Sequence, residues 1–176
     1  MEQFSILDPN RSGELNIVKD GWVNPSFALT DDINIYGKLS YSGRWRKTGI
    51  VETARQSWTI EPQKLFSRTI LVKEVSTAQT ITMIKMSAWR GLVSLELPDG
   101  QIVQFKRDSI FSKVQSWYNE QFGNILSVES KIWSNKQPFK IIPGQNIPTD
   151  KLNLVLMAFI GVHLILLRRA HAAAAH

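Results

Sequence analysis

The chain has 176 residues, 43% of them apolar, with 21 Lys and Arg against 15 Asp and Glu, a formal net charge of +6. That length and composition fit one folded domain with a substantial core and exclude a disordered chain. Cysteine is absent, and the histidines are His163, His171 and His176. Disulfides, thiolate metal sites, Cys nucleophiles and S-palmitoylation are excluded together.

The first residues, Met1 to Ile6, carry neither a positive segment nor an apolar one. No secretory signal is therefore expected, and the protein is read as cytoplasmic, free or peripheral at a membrane. From there to residue 148, turn signals alternate with short β-branched and aromatic runs. Strands are predicted at Phe27–Leu29, Ile33–Leu39, Arg44–Thr53, Ser57–Glu61, Arg68–Lys73, Gln79–Met86, Leu92–Leu97, Gln101–Arg107, Lys113–Tyr118 and Ile125–Lys131. Regular short strands without a helical period suggest an antiparallel sandwich or barrel.

The Leu92–Arg107 hairpin has a predictable register. A two-residue Asp99-Gly100 loop would put Val103 and Phe105 on the face opposite Leu95 and Leu97. A three-residue Pro98-Asp99-Gly100 loop pairs Leu97 with Gln101, Leu95 with Val103 and Val93 with Phe105. Only this register collects the apolar side chains on one side and leaves Glu96, Gln104 and Lys106 in water. Pro presets φ and Gly supplies the left-handed bulge position.

After Pro148 the pattern changes to a helix, expected over 149–169, with Thr149 or Asp150 as its cap and Arg168 and Arg169 at its negative end. It is apolar on every face apart from Asn153, Gly161 and His163. Such a helix is buried either in protein or in a bilayer. Leu152–Leu167 spans 16 residues, or about 24 Å, against about 30 Å for a bilayer core. A helix buried at the centre of the β domain is favoured, with Leu154, Leu156, Phe159, Ile160, His163 and Leu167 as core positions. The alternatives are a tail anchor through 152–167 and a partner-binding helix. Residues 170–176, Ala-His-Ala-Ala-Ala-Ala-His, read as an appended tail outside the 1–169 domain.

Several local features occur in order. They are the Asp8 to Gly13 turn, Arg44-Trp45-Arg46-Lys47, Lys64-Leu65-Phe66-Ser67-Arg68-Thr69-Ile70, Ala88-Trp89-Arg90-Gly91, Leu97-Pro98-Asp99-Gly100 and the terminal apolar helix. Together they resemble the tubby C-terminal-like superfamily, which includes tubby domains, phospholipid scramblases and LURP-one-related proteins. The resemblance implies a mainly β fold: a single closed antiparallel barrel of about twelve strands with the hydrophobic helix through its centre. The chain departs from the scramblases in lacking a Cys cluster, a Pro-rich amino-terminal segment and an acidic calcium loop.

Little in the sequence points to catalysis. Residues 1–162 contain no His, so a Ser-His-Asp triad has no base there. His163, alone in an apolar helix, reads as a hydrogen-bonded core residue. Clustered His or Cys for a metal is missing, as are phosphate-binding glycine motifs, so no metal and no cofactor are expected. Asp31-Asp32 reads as a turn. A basic cluster remains: Lys38, Arg44, Arg46, Lys47 and Arg55, with Trp45 among them. Arg beside Trp suits phospholipid headgroups at a membrane surface. Lys106 and Arg107 form a second, weaker pair. Nucleic acid is disfavoured because the excess charge makes no continuous stripe. The expected function is a non-enzymatic, monomeric binding module for anionic lipid. The rivals are a soluble scaffold for a protein partner, a tail-anchored protein and, last, an enzyme using carboxylates.

Overall fold

A computed structural model describes residues 3–8, 13–43, 48–64, 67–87, 92–97, 99–109, 111–131, 133–145, 147 and 152–174. Its elements in chain order are β1 (Leu15–Asp20), β2 (Ser26–Thr30), β3 (Ile35–Ser42), β4 (Thr48–Thr53), β5 (Ser57–Pro62), β6 (Thr69–Glu74), β7 (Thr80–Met86), β8 (Val93–Glu96), β9 (Ile102–Arg107), β10 (Val114–Asn119), β11 (Gly123–Ser130), β12 (Phe139–Pro143) and α1 (Leu154–Ala174). Sequential strands pair antiparallel, and β12 returns to β1, closing a barrel of twelve strands. The closing register sets Leu15 opposite Ile141 and Ile17 opposite Phe139.

Every strand sends alternate side chains inward. Ile17, Leu39, Ile60, Ile84, Phe105 and Val128, from six of the strands, are each fully buried. They meet α1, which runs through the barrel and lies against β11 on one wall and β3 and β4 on another. Leu154 through Ile165 are all buried, including Leu156, Phe159 and Ile160, while Leu166 and Leu167 pack partly at the edge. The helix is therefore the core of the β domain, and these side chains are unavailable to a bilayer.

Two contacts fix how deep α1 sits. Asn153 caps it, its Oδ1 accepting from Leu156 N–H at 3.0 Å and its carbonyl from Met157 N–H at 2.9 Å. Farther along, Trp117 Nε1–H donates to the Met157 carbonyl at 3.0 Å, a side-chain bond to the backbone in mid-helix. Gly161 permits that approach, because a Cβ there would stand 3.0 Å from Val128 Cγ2 and 3.3 Å from Trp117 Nε1.

The predicted hairpin has the register read from its sequence: Val93 pairs with Phe105 and Leu95 with Val103. Leu97 N–H donates to the Gln101 carbonyl at 2.8 Å, and Gly100 has φ +82. Asp31 and Asp32 form a turn, with Asp31 Oδ1 accepting from the Ile33 and Asn34 N–H groups.

Elsewhere the boundaries differ. Two strands, β1 and β12, are additional to those predicted, each carrying only a pair of inward apolar residues before polar ones intervene. β4 is described from Thr48, and Arg44 to Lys47, where its start was expected, lie outside the described residues. Thr149 and Asp150, expected to cap the helix, lie outside the described residues, and Asn153 does the capping. The helix also continues past Arg169 to Ala174, through residues read as a tail, because an alanine-rich segment has high helix propensity.

Ending the chain at Pro148 removes the filling of the barrel and should leave unfolded or insoluble protein, read by circular dichroism and sedimentation. Ile160→Asp, which buries an unpaired carboxylate, should cost about 4 kcal/mol or more in urea unfolding.

Candidate functional site

Antiparallel strands send their connections alternately to the two mouths of the barrel. The turns 31–34, 54–56, 75–79, 97–101 and 120–122 share the mouth at which α1 begins. The described residues of the connections 21–25, 63–68, 108–113 and 131–138, with Gly43, Ser87 and Leu92, share the other, from which α1 emerges.

The two mouths have opposite charge. At the first, Asp31, Asp32, Glu74, Glu96, Asp99 and Glu120 lie in or beside the turns, and the cation in those turns, among the described residues, is Arg55. Several of these carboxylates build the turns: Asp31 Oδ2 accepts from Tyr36 Oη at 2.7 Å, and Asp99 Oδ1 from Gln101 N–H at 3.1 Å. At the second mouth, Lys64, Arg68, Arg107, Lys113, Lys131 and Lys136 lie in or beside the loops, joined by Arg168 and Arg169 of α1. The acids there, among the described residues, are Asp20 and Asp108. Arg168 donates to Gln115 Oε1 at 2.7 Å, and burial together with the nearby charge of Arg107 presses its guanidinium below its ordinary pKa. Arg169 lies 5.1 Å over the Phe139 ring. On the barrel wall, by contrast, Lys73 pairs with Glu61 and Lys140 with Glu14, both at 2.5 Å.

Of the basic cluster expected from sequence, Lys38 and Arg55 are described. Lys38 lies on β3 opposite Glu52 of β4. Arg55 is exposed in the turn after β4, at the acidic mouth. Arg44, Trp45, Arg46 and Lys47 themselves lie outside the described residues. Lys106 and Arg107 also part: Lys106 Nζ sits 3.9 Å over the Tyr118 ring, while Arg107 reaches the mouth near Arg168.

What the sequence reading missed at the basic mouth is aromatic. Trp22, Phe111 and Trp133 are 97%, 94% and 95% exposed and stand on loops 21–25, 108–113 and 131–138. The available signal was loop parity: every second connection shares a mouth, and these are the ones that combine aromatics with Lys and Arg.

Among the described residues, the buried histidine of the interior already has a partner. His163 Nδ1 and Tyr41 Oη share a hydrogen bond of 3.1 Å, and their rings stack at 5.7 Å. Burial lowers the His163 pKa to about 4 and raises the Tyr41 hydroxyl above its ordinary value. The imidazole is thus neutral and satisfied at neutral pH. No group of His, Cys, Asp and Glu that could hold a metal exists among the described residues. A cavity of about 240 Å³ remains at the acidic mouth between α1 and the wall, lined by Trp58, Leu95, Leu156 and Ile160 and bordered by Glu74 and Glu96.

The low pKa of His163 makes stability pH-dependent. Between the unfolded value near 6.5 and the folded value near 4, the unfolded chain binds the extra proton, so stability falls as pH falls. Urea unfolding should lose about 3 kcal/mol from this group between pH 7 and 4. The double variant Tyr41→Phe with His163→Leu should lose less over the same range.

Compared with known protein families, curated proteins and solved structures, the chain matches none.

Proposed function

We propose that the protein is a non-enzymatic module that binds the anionic surface of a phospholipid membrane. The observation that carries this reading is the separation of charge along the barrel axis, with Lys and Arg gathered at the mouth where α1 emerges. A cation close to an anionic leaflet contributes about 1 kcal/mol, so several acting together bind measurably. The crowding of Arg107 against Arg168 is relieved when phosphate oxygens approach them. The filled barrel and the neutral, hydrogen-bonded His163 favour binding at the surface over chemistry within. A closed barrel around an apolar helix is also the architecture that the tubby-like resemblance implies. The cytoplasmic leaflet, rich in anionic lipid, is the proposed location, with the chain held peripherally as a monomer.

Full-length protein should co-sediment with phosphatidylcholine vesicles containing about 30% phosphatidylserine and not with phosphatidylcholine alone, and about 0.5 M salt should release it. Reversing charge with Lys113→Glu, Lys136→Glu and Arg169→Glu should weaken binding by about 100-fold or more, since each exchange replaces attraction with repulsion. Arg55→Glu, at the opposite mouth, should have little effect. Equal binding to neutral and anionic vesicles would refute the electrostatic reading.

A further inference from the structure

We propose that Trp22, Phe111 and Trp133 form an anchor that inserts into the interface of an anionic bilayer, holding the basic mouth against it and the barrel axis steeply inclined to its plane. This rests on the lipid-binding reading and adds the inserting residues and the orientation.

Among the described residues, these are the aromatic side chains with more than nine tenths of their surface exposed. They come from three separate segments of sequence, yet their loops are neighbours on the rim. Going round the barrel, β2, β1, β12, β11, β10 and β9 are consecutive, and the three loops join β1 to β2, β11 to β12 and β9 to β10.

The loops are also held in place. Gly21 N–H donates to Asp20 Oδ1 at 2.9 Å, Ser112 N–H to the Ser109 carbonyl at 3.1 Å and Gln137 N–H to Ser134 Oγ at 3.0 Å. Lys19 N–H donates to the Lys136 carbonyl at 2.7 Å, tying the 131–138 loop to β1. Loops fixed by such bonds display their aromatic tips without packing them against the barrel.

Lone exposed apolar residues are ordinary, but two tryptophans and a phenylalanine on adjoining loops at one end form a pattern. Aromatic rings favour the headgroup level of a bilayer, where an apolar body and a polar edge are both accommodated. Lysines accompany them: Lys113 follows Phe111 by two residues, and Lys131 and Lys136 flank Trp133. Cations with aromatics complement anionic lipid, the first by charge and the second by apolar burial. The apolar side chains exposed in the turns of the acidic mouth include Ile33 and Val75, which lie beside Asp32 and Glu74, and those exposed next to the turns include Ile35 and Ile102; all four are aliphatic. Three separate projecting tips also suit a deformable surface, which needs no matching shape, better than the close-packed centre of a protein interface.

The test uses full-length protein, phosphatidylcholine vesicles with about 30% phosphatidylserine, and the triple variant Trp22→Ala, Phe111→Ala, Trp133→Ala. These side chains pack against nothing, so the melting temperature should be unchanged. Vesicle partitioning should fall by about 100-fold or more, since each aromatic loses its apolar transfer. Brominated acyl chains should quench wild-type tryptophan fluorescence. The variant Trp22→Phe, Trp133→Phe should bind within about threefold of wild type but lose most of that quenching. If wild type binds anionic vesicles and the triple variant binds within about threefold of it, the anchor is wrong while the lipid-binding reading stands. Binding without quenching overturns insertion alone. If wild type fails to bind anionic vesicles, both proposals fall.

Discussion

The interior of a closed twelve-strand barrel must be filled. About eight strands leave a space that side chains can just occupy, and larger barrels open a channel or cavity. An α-helix with its side chains is about 10–12 Å across and fits that larger space. Surrounded by wall, it must be apolar on every face, which is the pattern of Leu154–Ile165. Once the helix is in place, the wall conforms to it: Trp117 bonds the Met157 carbonyl, Gly161 makes room, and Tyr41 meets His163.

That filling also limits where function can reside. A ligand cannot pass along the axis, and the polar side chain of His163 is committed to Tyr41. The cavity beside the helix start is lined mainly by apolar residues. What remains for recognition is the outer wall and the two mouths. On the wall, Lys73 with Glu61 and Lys140 with Glu14 neutralise each other. The mouths are different because their loops are not bound by the inward-outward alternation of a strand, so charge and aromatic residues can collect there.

Local patterns were legible in the sequence; placement around the barrel was not. The Leu92–Arg107 register followed from one hairpin, because a slip by one residue would have turned Val103 and Phe105 to water. The terminal helix was legible from its uniform apolarity. β1 and β12 were missed because each carries only two inward apolar residues, and part of what holds them is their pairing with each other, beside the longer ladders to β2 and β11. Leu15 and Ile17 meet Ile141 and Phe139 only on closure, at a separation no local window reports. The helix cap was assigned too early because Thr149 and Asp150 are as good capping types as Asn153, and only the depth of the helix in the barrel selects between them. Of the basic cluster, Lys38 and Arg55 are the described members, and closeness in sequence did not place them: Lys38 faces Glu52 across the β3–β4 ladder, while Arg55 stands in the turn after β4.

Folding itself accounts for part of the charge separation. The negative end of the helix dipole lies at Ala174, and its effect, about 0.3–1 kcal/mol for an exposed charge, decays within the last turn, where His171 is the basic residue, so it reaches Arg168 and Arg169 little. It cannot explain Lys113 or Lys136, which stand on loops. At the other mouth, turn geometry explains Asp31 and Asp99, since their side chains cap backbone N–H groups. Turn geometry gives no corresponding reason for lysines and tryptophans. Trp22, Phe111 and Trp133 add almost nothing to the core, and their exposure costs solubility. Subtracting what the helix dipole and the turns require leaves, among the described residues, most of the loop cations and the fully exposed loop aromatics together at one end. Cations alone, at about 1 kcal/mol each and opposed by Asp20 and Asp108, would give a contact that physiological salt loosens. Aromatic burial is insensitive to salt but too short in range to bring the protein to a surface. The two kinds of residue complement each other physically, and their occurrence together on neighbouring loops is the feature that folding leaves unexplained and that the proposed membrane docking would account for.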